Sequence, residues 1–231
     1  MSGIRAIFFD YGGTLDSPGI PWREHFYSCY VKCGVHVPFD RFTRAFYQAD
    51  DALVAECPSH MDLDQVVREQ VRRVLAGLGI RDWVLADEIS RRFLDESLTS
   101  IRRNIELISR LKERYAIGII SNNYGNLEAI CRQTGLIYFA DVMVDSRILG
   151  CEKPNPAIFM SALKAVGVEP HEAVMVGDSL PRDIKGALGV GMRPVWLVPP
   201  WMRAAAEALR LEIPVISGLD ELEALLSRWA T

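Results

Sequence analysis

The fold of this chain is constrained most by residues 6–15, where an unbroken apolar run ends in one aspartate. The four residues before Asp10 are all apolar, which is typical of a parallel strand that is buried on both faces. Asp10 would therefore lie at the strand's carboxyl end, where open α/β sheets bind ligands. Gly12 and Gly13 permit a sharp turn and a close backbone approach to an anion, and Thr14 adds a hydroxyl donor. This pattern favours a nucleophilic carboxylate beside a phosphate site, and a plain strand that ends in a turn is the alternative.

The rest of the chain divides into a helical part and an alternating part. From Trp22 to about Leu98 the apolar residues recur at spacings of three and four, which predicts four helices and no strand. After a further helix over residues 105–111, short apolar runs alternate with helical segments, as in a parallel sheet with helices on both faces. The predicted strands of this part span residues 117–120, 142–144, 173–176, 194–198 and 215–216.

Together these patterns predict an α/β fold, with a Rossmann-like three-layer α/β/α core, a parallel sheet and an inserted α-helical cap. We assign residues 1–15 and 98–231 to the core domain and residues 16–97 to the cap domain. Because the insertion follows the first strand, the cap would stand over the carboxyl end of the sheet. Segments near residues 16–19 and 98–103 would then join the two domains and act as hinges.

Aromatic residues are frequent at the start of the predicted cap. At helical spacing such residues are expected mainly in the cap core, because large aromatic side chains dominate hydrophobic cores. A role in lining a substrate pocket is the alternative for the same residues. The set consists of Trp22, Phe26, Tyr27 and Tyr30.

Composition argues against several classes of protein. The 231 residues are 49% hydrophobic and 24% charged, as in ordinary globular domains. The net charge of −4 and the lack of a basic stripe argue against a nucleic-acid partner. No apolar run approaches the roughly 20 residues of a membrane helix, and no signal peptide precedes the first strand. Five cysteines without a CxxC pair fit reduced thiols, so we expect a cytoplasmic monomer or homodimer that acts on a small molecule.

Polar residues gather in the loops of the alternating part. Ser121 and Asn122 follow one predicted strand, Asp178 and Asp183 follow another, and Lys153 stands just before a helix. In a doubly wound sheet these loops meet at the same edge as the aspartate of the first strand. Each residue also has an ordinary interpretation as a helix cap or a solvated charge, so the prediction depends on their joint occurrence.

The residues of these loops carry a resemblance to a known family. The chain resembles the haloacid dehalogenase-like (HAD) hydrolase superfamily over nearly its whole length, in its phosphatase-like branch. The order and spacing of four segments match, as does a helical cap inserted after the first of them. The matching segments are FFDYGGTL, IGIISNN, the lysine of CEKPNPAIF, and VMVGDSLPRD.

The resemblance implies a catalytic role for three of these residues. Asp10 would be the nucleophile that attacks phosphorus and forms an aspartyl-phosphate. Ser121 would hydrogen-bond the phosphoryl oxygens, and Lys153 would neutralise charge between Asp10 and the phosphoryl group. The implied substrate-binding residues are Gly13, Thr14, Ser121 and Asn122.

The resemblance also implies a Mg²⁺ cofactor. Asp10, Asp178 and the backbone carbonyl of Gly12 would be its protein ligands, and Asp183 would be a supporting acid near Lys153 or a metal-bound water. Mg²⁺ prefers oxygen ligands, and these loops offer no set of His and Cys residues for zinc. The small substrate would be phosphorylated, since a dication and a lysine offset the charge of a phosphate monoester.

Gly12 departs from the pattern of the family. Phosphatases of this superfamily usually read Asp-x-Asp, and the second Asp is a general acid and base, worth about 10²–10⁴-fold in rate. Glycine at this position leaves open a hydrolase with another acid, a weakened protein that binds a ligand or partner without turnover, or a different reaction. Asp16, Glu24 and His25 are the nearby candidates for another acid.

Two branches of the superfamily that lack the second Asp catalyse other hydrolyses. Dehalogenase-like enzymes have no carboxylate where Asp178 stands, so Asp178 argues against cleavage of a C–halogen bond. Phosphonatase-like enzymes cleave C–P bonds with a cap lysine, and Lys32 is the only lysine between residues 16 and 100. A solvated Lys32 is the simpler interpretation. We therefore predict a Mg²⁺-dependent hydrolase, foremost a phosphatase of a small phosphorylated metabolite.

Overall fold

A computed structural model describes residues 3–229 and contains one parallel sheet of six strands in the order β3-β2-β1-β4-β5-β6. This confirms the predicted α/β architecture, in which β1 lies in the interior with β2 on one side and β4 on the other. Adjacent strands pair in parallel throughout. The strands are β1 (Ala6–Phe9), β2 (Ala116–Ser121), β3 (Val142–Asp145), β4 (Ala173–Gly177), β5 (Arg193–Leu197) and β6 (Val215–Ile216).

Helices occupy most of the remaining described chain. Four helices come between β1 and β2, namely α1 (Trp22–Lys32), α2 (Phe39–Glu56), α3 (Leu63–Gly77) and α4 (Trp83–Lys112). The later helices are α5 (Leu127–Thr134), α6 (Ser146–Leu149), α7 (Pro156–Val166), α8 (Lys185–Val190), α9 (Arg203–Ala208) and α10 (Leu222–Trp229). No helix within residues 3–229 combines the length and apolarity that crossing a bilayer requires.

Helix α4 differs from the prediction, because it is a single helix of 30 residues. The sequence pattern had suggested one helix before residue 98 and a separate helix over residues 105–111. No proline or glycine interrupts residues 83–112, and Phe93, Ile101 and Leu107 are all buried along the helix. The expected separation between two helices was therefore wrong, and the assumed domain boundary at residue 98 falls inside α4. The division into core and cap stays a prediction.

The strand arrangement brings the polar loops together at one edge. The backbone N–H of Asp10 donates to the carbonyl of Val176 at 2.9 Å, so the nucleophile candidate extends β1 beside β4. Ser121 is the last residue of β2, on the other side of β1. Since all strands run in the same direction, their carboxyl ends share this edge.

Gly118 provides a test of the sheet's packing. In β2 it pairs with Phe8, and a Cβ added at Gly118 would lie 2.3 Å from the Phe8 ring. We expect Gly118→Ala to lower the free energy of unfolding by about 1–3 kcal/mol through overpacking. The matched control is Gly189→Ala in α8, where an added Cβ meets nothing within 4 Å. Urea unfolding should show no loss for the control, and equal stabilities of the two variants would contradict this packing.

Candidate active site

Lys153 joins two carboxylates at the carboxyl edge of the sheet. Its Nζ lies 2.8 Å from Oδ1 of Asp10 and 2.7 Å from Oδ1 of Asp183, and it donates to the carbonyl of Ile120 at 2.8 Å. The side chain is only 2% exposed. Burial alone would lower the pKa of Lys153, but the two carboxylates outweigh burial and the pKa is raised. Lys153 is therefore a permanent buried cation next to Asp10.

Asn122 fixes the backbone that carries this lysine. The N–H of Lys153 donates to Oδ1 of Asn122 at 2.8 Å, and Nδ2 of Asn122 donates back to the carbonyl of Lys153 at 3.1 Å. These two hydrogen bonds tie the loop after β2 to the segment before α7. The predicted contact between Asn122 and substrate stays a prediction, whereas its contact with Lys153 makes Asn122 a positioning residue.

Three carboxylates converge beside Lys153. Asp10, Asp178 and Asp183 each offer an oxygen, and these oxygens lie within 4.8 Å of one another. Burial, followed by repulsion from Asp10 and Asp183, raises the pKa of Asp178 well above its usual range. Burial likewise raises the pKa of Asp183 to about 6, although Lys153 counteracts it. An all-oxygen site with excess negative charge fits a hard dication such as Mg²⁺.

Gly13 allows Asp178 to approach the loop after β1. Its φ is +87°, and an added Cβ would lie 2.6 Å from the carboxylate of Asp178. The neighbouring Thr14 is fully buried, and its hydroxyl donates to Oδ1 of Asp178 at 3.3 Å. The N–H of Gly13 donates to Oδ1 of Asp16 at 2.7 Å. In this structure, therefore, the Gly13 N–H and the Thr14 hydroxyl organise the site internally, and their contact with substrate stays a prediction.

A cavity of about 620 Å³ opens above this cluster. Asp10, Gly12, Ser121 and Asp178 line its floor, together with Lys153. Residues of α1 and α2 line the opposite side. The cavity is large enough for a small metabolite, and the nucleophile candidate and the cation beside it face the same space.

Comparison with known proteins decides the family of this site. The family model described as haloacid dehalogenase-like hydrolase matches residues 4–191, which is most of the chain. The chain belongs to this hydrolase family. The resemblance carried by the four sequence segments is thereby confirmed, and the protein is an enzyme of the HAD-like hydrolase type.

Relatives of this HAD-like hydrolase include both phosphatases and dehalogenases. The chain is 33% identical over 205 residues to the glyceraldehyde 3-phosphate phosphatase of Pyrococcus furiosus, covering 85% of this chain and 81% of the relative. It is 44% identical over 200 residues to the glyceraldehyde 3-phosphate phosphatase of Pyrococcus abyssi, covering 84% and 81%. Among solved structures, a 2-haloacid dehalogenase from Pseudomonas syringae is similar with a TM-score of 0.54 and 27% identity, over 98% of this chain and 99% of that chain.

Two candidate residues of the hydrolase's helical part lie away from the cavity. His25 is buried, and its Nε2 lies 3.0 Å from Oε2 of Glu96. Lys32 pairs through Nζ with the other oxygen of Glu96 at 2.9 Å, and its side chain is 46% exposed. Neither is among the described residues that line the cavity. The positions of these two residues offer no support for acid catalysis by His25 or Schiff-base chemistry by Lys32.

Trp22 is the one member of the predicted aromatic set that lines the described cavity. Phe26 and Tyr30 are fully buried, and the Tyr27 hydroxyl donates to the carbonyl of Val37 at 2.9 Å. These three belong to the packing among the helices that precede β2. Packing between helices therefore describes three residues of the set, and lining of the cavity describes Trp22.

Asp16 is a fully buried carboxylate that no substrate can reach in this structure. One oxygen accepts from the N–H of Gly13 and the other from the indole Nε1 of Trp22. Burial raises the pKa of Asp16 to about 7, although these two hydrogen bonds oppose the rise. Asp16 was a candidate for the missing acid, but its contacts make it an anchor for Trp22.

The pKa of Asp16 gives a testable dependence of stability on pH. The folded state keeps this proton up to about pH 7, whereas the usual value is 3.8, so raising the pH from 4 to 7 favours unfolding. Relative to Asp16→Asn, the wild type should lose up to about 4 kcal/mol across that window and change little above it. Urea unfolding of both proteins at several pH values measures the difference. A difference that is constant with pH would contradict a protonated Asp16.

Two further polar residues escaped the sequence analysis. Asp50 of α2 lines the cavity and accepts a hydrogen bond from the hydroxyl of Tyr124. Burial raises the pKa of Asp50, and the Tyr124 hydrogen bond opposes that rise. A signal was present, because Asp50 comes four residues after Phe46 and so lies on the apolar face of the helix. Asp145, at the end of β3, accepts from the N–H groups of Gly125 and Leu127 and is structural.

Proposed function

We propose that this enzyme is a Mg²⁺-dependent phosphatase of a small phosphorylated metabolite and that it acts through an aspartyl-phosphate on Asp10. The observation that carries the proposal is the contact of Lys153 with Asp10 beside the converging carboxylate of Asp178. Two relatives with substantial identity are named as phosphatases of glyceraldehyde 3-phosphate, a small phosphate monoester. Their names support the class of substrate rather than its identity.

The contacts of Asp10 suit a nucleophile. Its Oδ1 is held by Lys153 at 2.8 Å and by the N–H of Tyr11 at 2.7 Å, while neither contact uses Oδ2. The carboxyl group is thus fixed in orientation beside a neighbouring cation. The second oxygen is available to attack phosphorus, with Ser121 placed at the end of β2 to hydrogen-bond the phosphoryl oxygens.

Asp10, Asp178 and the carbonyl of Gly12 would hold Mg²⁺, with Asp183 beside them. When bound, the ion supplies the positive charge that allows a carboxylate to approach an anionic phosphate. The structure fits this assignment, because three carboxylates meet where Lys153 supplies only one positive charge. Oδ1 of Asp183 forms an ion pair with Lys153, and its Oδ2 accepts from the N–H of Ser179 at 2.9 Å, which fixes the loop that carries Asp178.

We also propose that residues 16–97 act as the cap domain and residues 1–15 and 98–231 as the core. In support, the cavity lies between the loops of the sheet and the helices α1 and α2. Because α4 runs through residue 98 without a break, residues 16–19 are left as the proposed crossing between the two parts. Closure over the cavity would shield the aspartyl-phosphate from bulk water.

Dehalogenation is the second candidate, since one similar structure is a 2-haloacid dehalogenase. Asp178 argues against it, because a third carboxyl group beside Asp10 and Asp183 adds negative charge that Lys153 alone does not offset. The third candidate is a protein that binds a ligand or partner without catalytic turnover, and the glycine at position 12 is its only support. The intact set of Asp10, Ser121, Lys153 and Asp178 favours turnover.

A comparison of leaving groups and metal dependence tests the proposal. The purified protein is incubated with acetyl phosphate, glyceraldehyde 3-phosphate and 2-chloropropionate, with Mg²⁺ or with excess EDTA. We expect phosphate release from at least one phosphate compound with Mg²⁺ only, and no chloride release. Chloride release in EDTA would identify a dehalogenase. Phosphate release that is indifferent to EDTA would contradict the metal site.

A further inference from the structure

An indole lies against Gly12, the position at which the family pattern has its second Asp. A Cβ added at Gly12 would lie 3.0 Å from Nε1 and 3.2 Å from Cδ1 of Trp22. The backbone itself is compatible with any residue, because the φ of Gly12 is −74° and its ψ is 122°. Trp22, and not backbone strain, therefore crowds any side chain at this position, which would fit only if the indole gave way by a few tenths of an ångström.

The indole is held from several directions. Its Nε1 donates to the buried carboxyl of Asp16, whose other oxygen accepts from the N–H of Gly13 at 2.7 Å. Its ring packs edge-on against Phe26 and Phe93 at centroid distances of 5.8 and 5.6 Å. Turning the indole away would break this part-buried hydrogen bond and leave an oxygen of the buried Asp16 carboxyl without its donor. Trp22 therefore occupies this place as a fixed part of the wall.

Three further carboxyl groups line the cavity wall. Glu24 pairs with Arg23 through Oε1, whereas its Oε2 is buried without a hydrogen-bond partner, and Asp50 accepts from the Tyr124 hydroxyl. Glu152 is exposed to solvent. The indole N–H is a hydrogen-bond donor that does not release its proton near neutral pH. Position 12 itself therefore offers no group that could protonate a leaving oxygen, and Glu24 and Asp50 are the wall carboxyl groups that the test has to examine.

We propose that Trp22 is a specificity-determining residue that restricts the enzyme to phosphate groups whose leaving group departs as a stable anion. Acyl phosphates are the principal class, with aryl phosphates next and alkyl phosphates disfavoured. The proposal rests on the phosphatase function proposed above. It sets this chain apart from relatives that are named for an alkyl phosphate.

The chemistry balances without an acid at position 12. Oδ2 of Asp10 forms a bond to phosphorus, and the bond between phosphorus and the acyl oxygen breaks. The electron pair leaves with that oxygen as a carboxylate, which needs no proton. Water then attacks phosphorus, the bond to Asp10 breaks and restores its carboxylate, and the water's proton passes through phosphate to solvent. Because no base at position 12 assists this second step, the aspartyl-phosphate should accumulate.

The test compares leaving groups at saturating Mg²⁺. Acetyl phosphate, 4-nitrophenyl phosphate and glycerol 3-phosphate are hydrolysed by wild type, Gly12→Asp, and Gly12→Asp combined with Trp22→Ala or Trp22→Phe. We expect wild type kcat/KM to fall steeply in that order, with a burst of nitrophenol equal to the enzyme concentration. Gly12→Asp alone should gain little, because the indole crowds the added side chain. A folded double variant should gain up to about 10²–10⁴-fold on glycerol 3-phosphate and little on acetyl phosphate.

Controls and contrary outcomes separate this proposal from the function on which it rests. Trp201→Ala, which removes a tryptophan that is 71% exposed and outside the cavity wall, should leave the order unchanged. Equal kcat/KM for acetyl phosphate and glycerol 3-phosphate in wild type would overturn the role of Trp22, while phosphatase function would stand. A selective loss of glycerol 3-phosphate turnover in Asp50→Asn or Glu24→Gln would overturn it as well, because that residue would then be the acid. If no phosphate compound is hydrolysed, the proposed function itself fails.

Discussion

Asp10→Asn should lower kcat/KM for every phosphate substrate by about 10⁴-fold or more, the range seen when one member of a covalent catalytic unit is removed. An amide cannot form an acyl phosphate that water readily hydrolyses, and it also removes the charge that faces Lys153 at 2.8 Å. The fold should survive, because Lys153 keeps its contact with Asp183 at 2.7 Å. Steady-state phosphate release at saturating Mg²⁺ measures the effect.

A matched aspartate shows whether the loss is specific. Asp95 lies exposed on α4 and outside the cavity wall, so Asp95→Asn should retain wild-type kcat/KM. Circular dichroism and the urea midpoint establish that both variants are folded. If Asp10→Asn retains more than a tenth of the activity while folded, Asp10 is not the nucleophile.

Asp178→Asn should raise the stability of the protein without Mg²⁺ and should remove the stabilisation that Mg²⁺ gives the wild type. Without Mg²⁺ the variant should be more stable than wild type by on the order of 1 kcal/mol, because one of three mutually repelling carboxylates becomes neutral. The Thr14 hydroxyl can still donate to the amide oxygen. With Mg²⁺ at 100 times its dissociation constant, the wild type should gain about 2.7 kcal/mol and the variant almost nothing.

Urea unfolding at several Mg²⁺ concentrations, with Ca²⁺-free buffer and EDTA as the baseline, measures both effects. Asp141→Asn is a useful contrast, because Asp141 accepts from the N–H of Ile117 at 2.8 Å at the opposite end of β2 and also pairs with Nζ of Lys112. That variant should lose stability equally with and without Mg²⁺. An Asp178→Asn protein that still gains stability from Mg²⁺ would contradict the proposed ligand set.

Much of the fold could be predicted from sequence, because apolar periodicity identifies its helices and strands and local residue types mark where they end. The unbroken apolar run before Asp10 forms β1, and Asn155, directly before a proline, caps α7 through its side chain at 2.9 Å from the N–H of Ala157. The predicted break near residue 98 was wrong, because charged and apolar residues recur with the same period in one long helix and in two short ones. Only burial along the whole of α4 distinguishes them.

Part of the site could be predicted from sequence, because the polar residues that follow parallel strands lie at the same edge of the sheet. The contacts of Lys153 with Asp10 and Asp183 agree with that expectation. The contact of Trp22 with Gly12 could not be predicted, since it depends on how α1 packs over the sheet and on a partner six residues away, Asp16. The sequence shows that Gly12 has no side chain, but only the structure shows that the Trp22 indole lies beside it.

The most direct test of the proposed mechanism is the identity of the phosphorylated residue. The protein is mixed with ³²P-labelled acetyl phosphate and Mg²⁺, quenched with acid within milliseconds to seconds, digested and mapped by mass spectrometry. We predict one labelled peptide that contains Asp10, with label that decays as phosphate is released and that is missing from Asp10→Asn. Phosphate release without any label on Asp10, or label on another residue, would contradict catalysis through an aspartyl-phosphate at this position.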